Sequence, residues 1–231
     1  MLVLEQVGKR YRDGRRERTV LEQVELEVER GELVVIYGER RSGRSTLLRI
    51  AAGIERPDEG RVLYEGEDLA GRPSVLGEGI GYVSTALHEG EEQDVLEQVA
   101  APLLARGRPV DEARQTARRA LARAGAEACA AHALGELSAG ERMRVALART
   151  LAPSPALVVI DEPAGTVGLS ERDGLLALLG ALATQGTAVL ASTGEPSELA
   201  GATRALTLAE GRLRGESRPA LAQVVALRRG I

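Results

Sequence analysis

Aromatic side chains are almost absent from this 231-residue sequence, which contains no Phe and no Trp. The core must therefore be built from Leu, Val, Ile and Ala. A single cysteine, Cys129, excludes an internal disulfide and fits a reducing compartment. Charged residues come too early after Met1 for a signal peptide, and no apolar run approaches the ~18 residues of a membrane span. We therefore expect a chain that does not enter a bilayer by itself.

Neither sign of charge dominates, since 30 Lys and Arg stand against 34 Asp and Glu, a formal net charge of -4. Lys9 is the only lysine, so nearly all of the positive charge is arginine. An acidic chain with a pI of about 5.5 is a poor candidate for coating nucleic acid. The 44% hydrophobic and 28% charged residues are typical of a globular protein, and the length allows one large domain.

The hydrophobic pattern predicts two kinds of strand separated by amphipathic helices. Apolar and polar residues alternate in LVLEQV and TVLEQVELEV, which indicates half-buried strands of an antiparallel sheet. The runs ELVVIY, ALVVI and TAVLAS are nearly all apolar, as in strands buried on both faces of a parallel sheet. Helical patterns lie between them, and the tail SRPALAQVVALRRG is typical of a final amphipathic helix. This alternation predicts an α/β fold with a parallel core sheet.

The stretch GERRSGRST follows the ELVVIY strand and precedes a predicted helix. Gly38, four residues, Gly43, a basic residue and then Ser45 have the spacing of a phosphate-binding loop. Glycines let backbone N–H groups point at phosphate, and the hydroxyl of Ser45 is placed to hold magnesium. The basic residue is Arg44, whereas such a loop normally has lysine. An ordinary basic turn between a strand and a helix is the alternative interpretation.

Two carboxylates, Asp161 and Glu162, follow the apolar run ALVVI at the carboxyl end of a predicted buried strand. Asp161 is a candidate to hold magnesium through water. Glu162 is a candidate base that polarises an attacking water. A solvated acidic turn is the alternative interpretation of this pair.

A third motif lies in HALGELSAGERMRVALARTL, and here the sequence resembles the ATP-binding cassette (ABC) family over nearly its whole length. Four of five positions match that family's signature, Leu-Ser-Gly-Gly-Gln/Glu, in the residues Leu137, Ser138, Ala139, Gly140 and Glu141. The interval from Leu137 to Asp161 equals the usual family spacing. His132, Glu136 and the pattern GER-RVA-AR most resemble the ATPase subunits that serve lipoprotein-release and macrolide-export complexes.

The resemblance implies a P-loop NTPase fold of ABC type, with a RecA-like parallel sheet core, an antiparallel β subdomain and an inserted helical subdomain. It implies a single nucleotide-binding domain over 1–231, with the ATPase core and β subdomain at 1–86 and 152–216. The helical signature subdomain is expected at 87–151 and a C-terminal helix at 217–231. The implied cofactors are ATP and Mg²⁺, with Ser45 and Asp161 serving the metal. The residues implied to bind nucleotide are Tyr11, which takes the place of the family's adenine-stacking aromatic, and Gly38, Arg41, Ser42, Gly43, Arg44, Ser45 and Thr46.

The same resemblance implies protein partners. In ABC dimers each ATP lies between the phosphate loop of one subunit and the signature of the other, so the signature residues of this chain would face a partner's ATP. A membrane-spanning transporter subunit is the second implied partner, which places the chain in the cytoplasm, peripheral on the inner face of the cell membrane. No nucleic-acid partner is expected.

The departures from the family pattern are concentrated in one half of the site. In the loop, Arg44 replaces the family lysine and Arg41 replaces a family glycine. Thr85 occupies the position of the family glutamine. Gly168 occupies the position of the interface aspartate, and Gly194 occupies the position of the switch histidine. Arginine keeps the charge, but its planar fork is bulkier than an ammonium. Removing a positioned transition-state donor costs on the order of 10²–10³ in rate. We therefore expect nucleotide binding with slow hydrolysis.

An impaired own site beside a usable signature suggests a heterodimer, in which this chain completes the site of a second, intact ATPase subunit. A non-hydrolysing regulatory or scaffold subunit and a weakly active homodimeric ATPase stay open as alternatives. A DNA-repair or ribosome-associated ABC protein is disfavoured, because the sequence has no coiled-coil insertion, second cassette or basic stripe.

The segment HEGEEQD, residues 88–94, stands where the resembling subunits have an apolar stretch that receives the membrane subunit. It predicts either a solvated acidic loop or a docking groove for a basic coupling helix. His88 and His132 have no further His or Cys at ligand spacing, so we expect structural rather than metal-binding roles for them.

Overall fold

A computed structural model describes residues 1–14, 16–71, 79–83, 94–165, 167–199 and 201–217. These residues form ten strands: β1 (Leu2–Asp13), β2 (Arg16–Val28), β3 (Leu33–Tyr37), β4 (Glu59–Tyr64), β5 (Glu67–Asp68), β6 (Ile80–Val83), β7 (Leu157–Ile160), β8 (Ala188–Thr193), β9 (Arg204–Ala209) and β10 (Arg212–Ser217). They also form five α-helices: α1 (Arg44–Ala51), α2 (Val95–Leu104), α3 (Val110–Arg123), α4 (Ala139–Leu151) and α5 (Leu169–Thr184).

The strands belong to two sheets. The first has the order β2-β1-β4-β5 and is antiparallel throughout. The second has the order β10-β9-β3-β8-β7-β6, in which β9, β3, β8, β7 and β6 are parallel and β10 is an antiparallel edge strand. Both the antiparallel sheet and the α/β core predicted from the hydrophobic pattern are confirmed.

The central strands are apolar because both of their faces are covered. Every residue of β7 and of β8 is buried, and so are the first four residues of β3. Alternate residues of β3 serve different cores: Val34 and Ile36 join α1 and the antiparallel sheet, whereas Leu33 and Val35 join the cluster that contains α2 to α5. The parallel sheet therefore separates two apolar cores.

Local sequence signals mark the helix ends. Helix α3 has Asp111 and Glu112 in its first turn and Arg123 in its last, which complements the helix dipole. Gly53, just after α1, has a φ of 73° and ends that helix. Among the described residues, no helix combines the length and apolar character needed to cross a membrane.

Some sequence-based predictions fall outside the described residues. These are Thr85 at the glutamine position, the acidic segment from residue 88 up to residue 93, and the C-terminal helix beyond Ser217. Asp94, the last residue of the acidic segment, is described and directly precedes α2.

Candidate nucleotide-binding site

The loop between β3 and α1 needs its two glycines for different steric reasons. Gly43 has a φ of 105°, a left-handed conformation that side chains disfavour. A Cβ on Gly38 would lie 2.6 Å from the Oγ of Ser42 and 2.7 Å from the carbonyl oxygen of Leu208. The loop conformation therefore depends on glycine at both positions.

An open cavity of about 800 Å³ lies over this loop, a size within the range of ligand pockets. It brings together the loop, the β1–β2 hairpin and the end of β7. Its lining residues are Tyr11, Arg18, Val20, Arg40, Arg41, Ser42, Gly43, Arg44, Ser45, Thr46, Asp161 and Glu162. All the predicted nucleotide and magnesium residues line it except Gly38, which lies beneath the loop.

Arg44 is the buried cation of the cavity. Its side chain is only 6% exposed, and its Nη2 forms an ion pair with Oε1 of Glu162, a residue that is half exposed. The other terminal nitrogen, Nη1, is buried and makes no hydrogen bond within the described part of the chain. The basic residue of the loop and the candidate base are thus in direct contact.

The two carboxylates at the end of β7 are positioned by β8. The hydroxyl of Ser192 donates to Oδ1 of Asp161 and accepts from the backbone N–H of Glu162, 3.0 Å away. Glu162 has a φ of 45°, a left-handed conformation that costs roughly 1–2 kcal/mol in a residue with a side chain. Such backbone strain is concentrated at functional sites.

Tyr11 lines the cavity from β1 and is 38% exposed. Its hydroxyl donates to Oε1 of Glu55 at 2.5 Å, and the ammonium of Lys9 lies over its ring, 5.6 Å from the centroid. Burial raises the pKa of Glu55, but hydrogen bonds from Tyr11 and Arg49 outweigh it and hold that pKa below its ordinary value. Because Lys9 covers one face of the Tyr11 ring, a nucleotide base that stacks on Tyr11 would use the opposite face.

Sequence reasoning missed three residues of the site: Arg18 and Val20, which line the cavity, and Ser192. Arg18 is the cross-strand partner of Tyr11 in the β1–β2 hairpin, and its Nη2 donates to the carbonyl oxygen of Arg41 at 3.2 Å. The register of the hairpin is the signal that could have found it. Ser192 is the last residue but one of β8, which pairs with β7, and adjacent parallel strands end at the same sheet edge.

The predicted signature lies on a separate surface, and none of its five residues lines the cavity. Leu137 is buried, Ala139 is exposed, and Ser138 caps α4. The hydroxyl of Ser138 accepts from the backbone N–H of Glu141 at 3.2 Å, and the Glu141 carboxylate accepts from the N–H of Ser138 at 2.8 Å. This capping box leaves the first turn of α4 well ordered.

A carboxylate from α5 stands beside this turn. Oε1 of Glu171 lies 3.5 Å from Oγ of Ser138, and a Cβ built on Gly140 would meet the same oxygen at 2.5 Å. Gly168, at the family's interface aspartate, is the N-terminal cap residue of α5, and a Cβ there would be 4.0 Å from Oε2 of Glu171. The carboxylate that α5 places beside Ser138 and Gly140 is thus that of Glu171, since residue 168 is glycine.

The cavity suits a magnesium–nucleotide complex. The hard oxygens of Ser45 and Asp161 are the ligand type that Mg²⁺ prefers, and phosphate oxygens and water would complete its shell. No group of three His, Cys, Asp or Glu residues in the described ranges could hold a metal ion by itself. Ser42 Oγ and Arg44 Nη1 are buried without a hydrogen-bond partner among the described residues, and both are suited to phosphate oxygens.

Comparison with known proteins agrees with this geometry. The sequence profile of the ABC transporter family matches residues 21–165. The lipoprotein-releasing system ATP-binding protein LolD of Chromohalobacter salexigens is 41% identical over 219 residues, covering 92% of both chains. LolD of Granulibacter bethesdensis is 37% identical over 218 residues, covering 92% of this chain and 95% of its own.

Solved structures show the same likeness. A dimeric bacterial ABC transporter cassette, MJ0796, superposes with a TM-score of 0.85 at 28% identity, covering 94% of this chain and 98% of that one. The same cassette in a dimeric post-hydrolysis state bound to ADP and Pi matches equally well.

Proposed function

Because this chain belongs to the ABC transporter family, and resembles its lipoprotein-release ATP-binding proteins, we propose that it is the ATP-binding subunit of such a membrane complex. It binds Mg-ATP in the cavity over the β3–α1 loop. We further propose that its own site hydrolyses slowly, while its signature residues complete the site of a second ATP-binding subunit. This assignment places it on the inner face of the cell membrane, beside a membrane-spanning subunit.

The observation that supports this proposal is that Arg41 and Arg44, two departures from the family pattern, line the cavity, whereas the signature residues lie on a separate surface. Arg44 borders Gly194, a third departure, and forms an ion pair with the candidate base, Glu162. The start of α4 keeps its capping box, with Ser138 and Gly140 at the helix N-terminus. A phosphate on that face would meet backbone N–H groups and the positive end of a helix dipole.

The division into subdomains is part of the proposal. Helices α2, α3 and α4 pack on one another around Val99, Leu121 and Leu147, which supports a helical signature subdomain at 87–151. The parallel sheet, α1 and the antiparallel sheet supply the ATPase core and β subdomain at 1–86 and 152–216.

The test uses the assembled complex, purified through a tag on this chain from its native cells. Glu162→Gln changes the chain's own candidate base, and Ser138→Arg changes the face toward a partner's nucleotide. We expect Ser138→Arg to abolish the ATPase rate of the complex and Glu162→Gln to leave most of it. Equal loss from both variants would mean a homodimer, and an unchanged rate with Ser138→Arg would refute the proposed use of the signature.

Equilibrium binding of ATP and single-turnover hydrolysis by the isolated chain distinguish a slowly hydrolysing subunit from a non-hydrolysing regulatory or scaffold subunit. We expect binding of ATP with little hydrolysis in a single turnover. Binding without any hydrolysis, even in the complex, would identify a regulatory or scaffold subunit. Rapid multiple turnover by the isolated chain would contradict the proposed impairment of its own site.

A further inference from the structure

The guanidinium of Arg44 is buried with only one of its ends satisfied. Nη2 pairs with Glu162, whereas Nη1 has no hydrogen-bond acceptor among the described residues. A buried, charged N–H group without an acceptor is costly, so native structures rarely keep one unless a ligand or water supplies the partner. Nη1 is therefore oriented for an acceptor that the described part of the chain does not provide.

The guanidinium packs against Gly194, which follows the last residue of β8. A Cβ built on Gly194 would lie 3.2 Å from Nη1, 3.5 Å from Nη2 and 3.8 Å from Cζ, all atoms of Arg44. Any side chain at position 194 would thus begin in direct contact with the guanidinium of Arg44. A lysine at position 44 would carry a single terminal nitrogen instead of a branched guanidinium, and would leave the space beside Gly194 unfilled.

The backbone around Gly194 is held in place, so it cannot easily yield to a larger residue. Thr193 donates from its hydroxyl to Oε2 of the buried Glu198 at 2.6 Å, and that hydroxyl accepts from the N–H of Glu195 at 2.9 Å. The N–H of Gly38 donates to the carbonyl oxygen of Thr193 at 3.2 Å, which ties the end of β8 to the loop. A side chain at position 194 would therefore displace Arg44 rather than the strand.

We propose that Gly194 is the positioning residue for Arg44, and that the two form one matched pair. Glycine at position 194 lets the fork reach the ends of β7 and β8, where Nη2 contacts Glu162. Nη1 then binds an oxygen of the terminal phosphate of a nucleoside triphosphate. The inference rests on the proposed ATP binding and adds that this pair distinguishes a triphosphate from a diphosphate.

The test measures binding of Mg·AMP-PNP and Mg·ADP to the full chain by calorimetry. We expect Gly194→His to reduce the preference for the triphosphate analogue by about tenfold, the factor for a coupling of ~1.4 kcal/mol between contacting residues. ADP affinity and thermal stability should stay close to those of the unmodified chain. The double variant Arg44→Lys/Gly194→His should regain most of the lost preference, because lysine leaves room for the new side chain.

Gly180→Ala is the matched control, since apart from the nearby backbone of α5 itself no described atom lies within 4 Å of a Cβ at that position. It should change neither affinity. A Gly194→His chain with an unaltered triphosphate preference would overturn the inference, and so would parallel losses of both affinities and of thermal stability. Failure of the unmodified chain to bind either nucleotide would instead contradict the proposed function.

Discussion

Oε1 of Glu171 lies 3.5 Å from Oγ of Ser138, so an α5 carboxylate stands at the N-terminus of the signature helix. It also borders Gly140, where a Cβ would meet it at 2.5 Å. Helix N-termini attract anions, and in the free chain Glu171 lies there in addition to Glu141 of the capping box. A phosphate group that approaches this face would meet a negative charge at close range.

Glu171→Gln should therefore strengthen ATP-dependent assembly with the proposed second ATP-binding subunit. Two like charges about 4 Å apart in water repel by about 1 kcal/mol, which corresponds to roughly a fivefold gain in affinity. Titration of assembly with Mg-ATP, followed by light scattering, measures this gain. Asp173→Asn removes an exposed charge from the same helix and is the matched control; an equal gain from both would point to net charge alone.

Arg41 is expected to strain the loop, because its φ of 66° lies in the left-handed region. Arg41→Gly should raise the free energy of unfolding by about 1 kcal/mol, since glycine adopts this conformation without the steric cost. Denaturant unfolding in the absence of nucleotide measures the change. Arg40→Gly is the control, because Arg40 has no positive φ and should lose stability on replacement. Destabilisation by Arg41→Gly would contradict the assigned strain.

Glu141 should stabilise the signature helix in a pH-dependent way. The backbone N–H of Ser138 hydrogen-bonds its carboxylate and holds the pKa of Glu141 below the ordinary value of 4.5. A lowered folded-state pKa means stability that is present above pH 4.5 and lost as pH falls through the folded-state value. Glu141→Gln should cost roughly 0.5 kcal/mol near neutral pH, and the difference should vanish in acid.

Chemical denaturation of both chains across this pH range measures the difference. Glu127→Gln, at an exposed position in the neighbouring 3-10 helix Glu127–Cys129, is the control and should change stability little at any pH. A difference for Glu141→Gln that stays constant into acid would show that the carboxylate charge contributes nothing.

Cys129 should be nearly unreactive in the folded chain. It is 5% exposed, and burial, with a further contribution from Glu141, raises the pKa of its thiol. Labelling at pH 8 by a disulfide reagent should be on the order of 100-fold slower than in denaturant, because it requires local opening. The measurement is unambiguous, since Cys129 is the only cysteine. Equal rates with and without denaturant would contradict the packing of α3 and α4 around it.

Much of the fold followed from local patterns. The apolar runs became β3, β7 and β8 because both faces of a parallel sheet are covered, and helices such as α3 lie between strands as the pattern predicted. The loop glycines Gly38 and Gly43 were found because their backbone requirements are local.

The relationships across the site did not follow from local patterns. Sequence analysis treated Arg44 and Gly194 as two separate departures, yet they are in contact because α1 and the end of β8 meet at one sheet edge. The bond from Ser192 to Asp161 and the left-handed φ of Glu162 likewise depend on which strands are neighbours. Such contacts arise from tertiary packing that no single stretch of sequence encodes.

The central sheet keeps the two apolar cores apart, with Leu47 and Leu48 of α1 on one side and Met143 and Leu147 of α4 on the other. Substitutions around the phosphate loop need not disturb the apolar core beneath α4, and substitutions at the start of α4 need not disturb the core beneath α1. The start of α1 and the start of α4 can therefore accept substitutions without loosening the packing beneath each other.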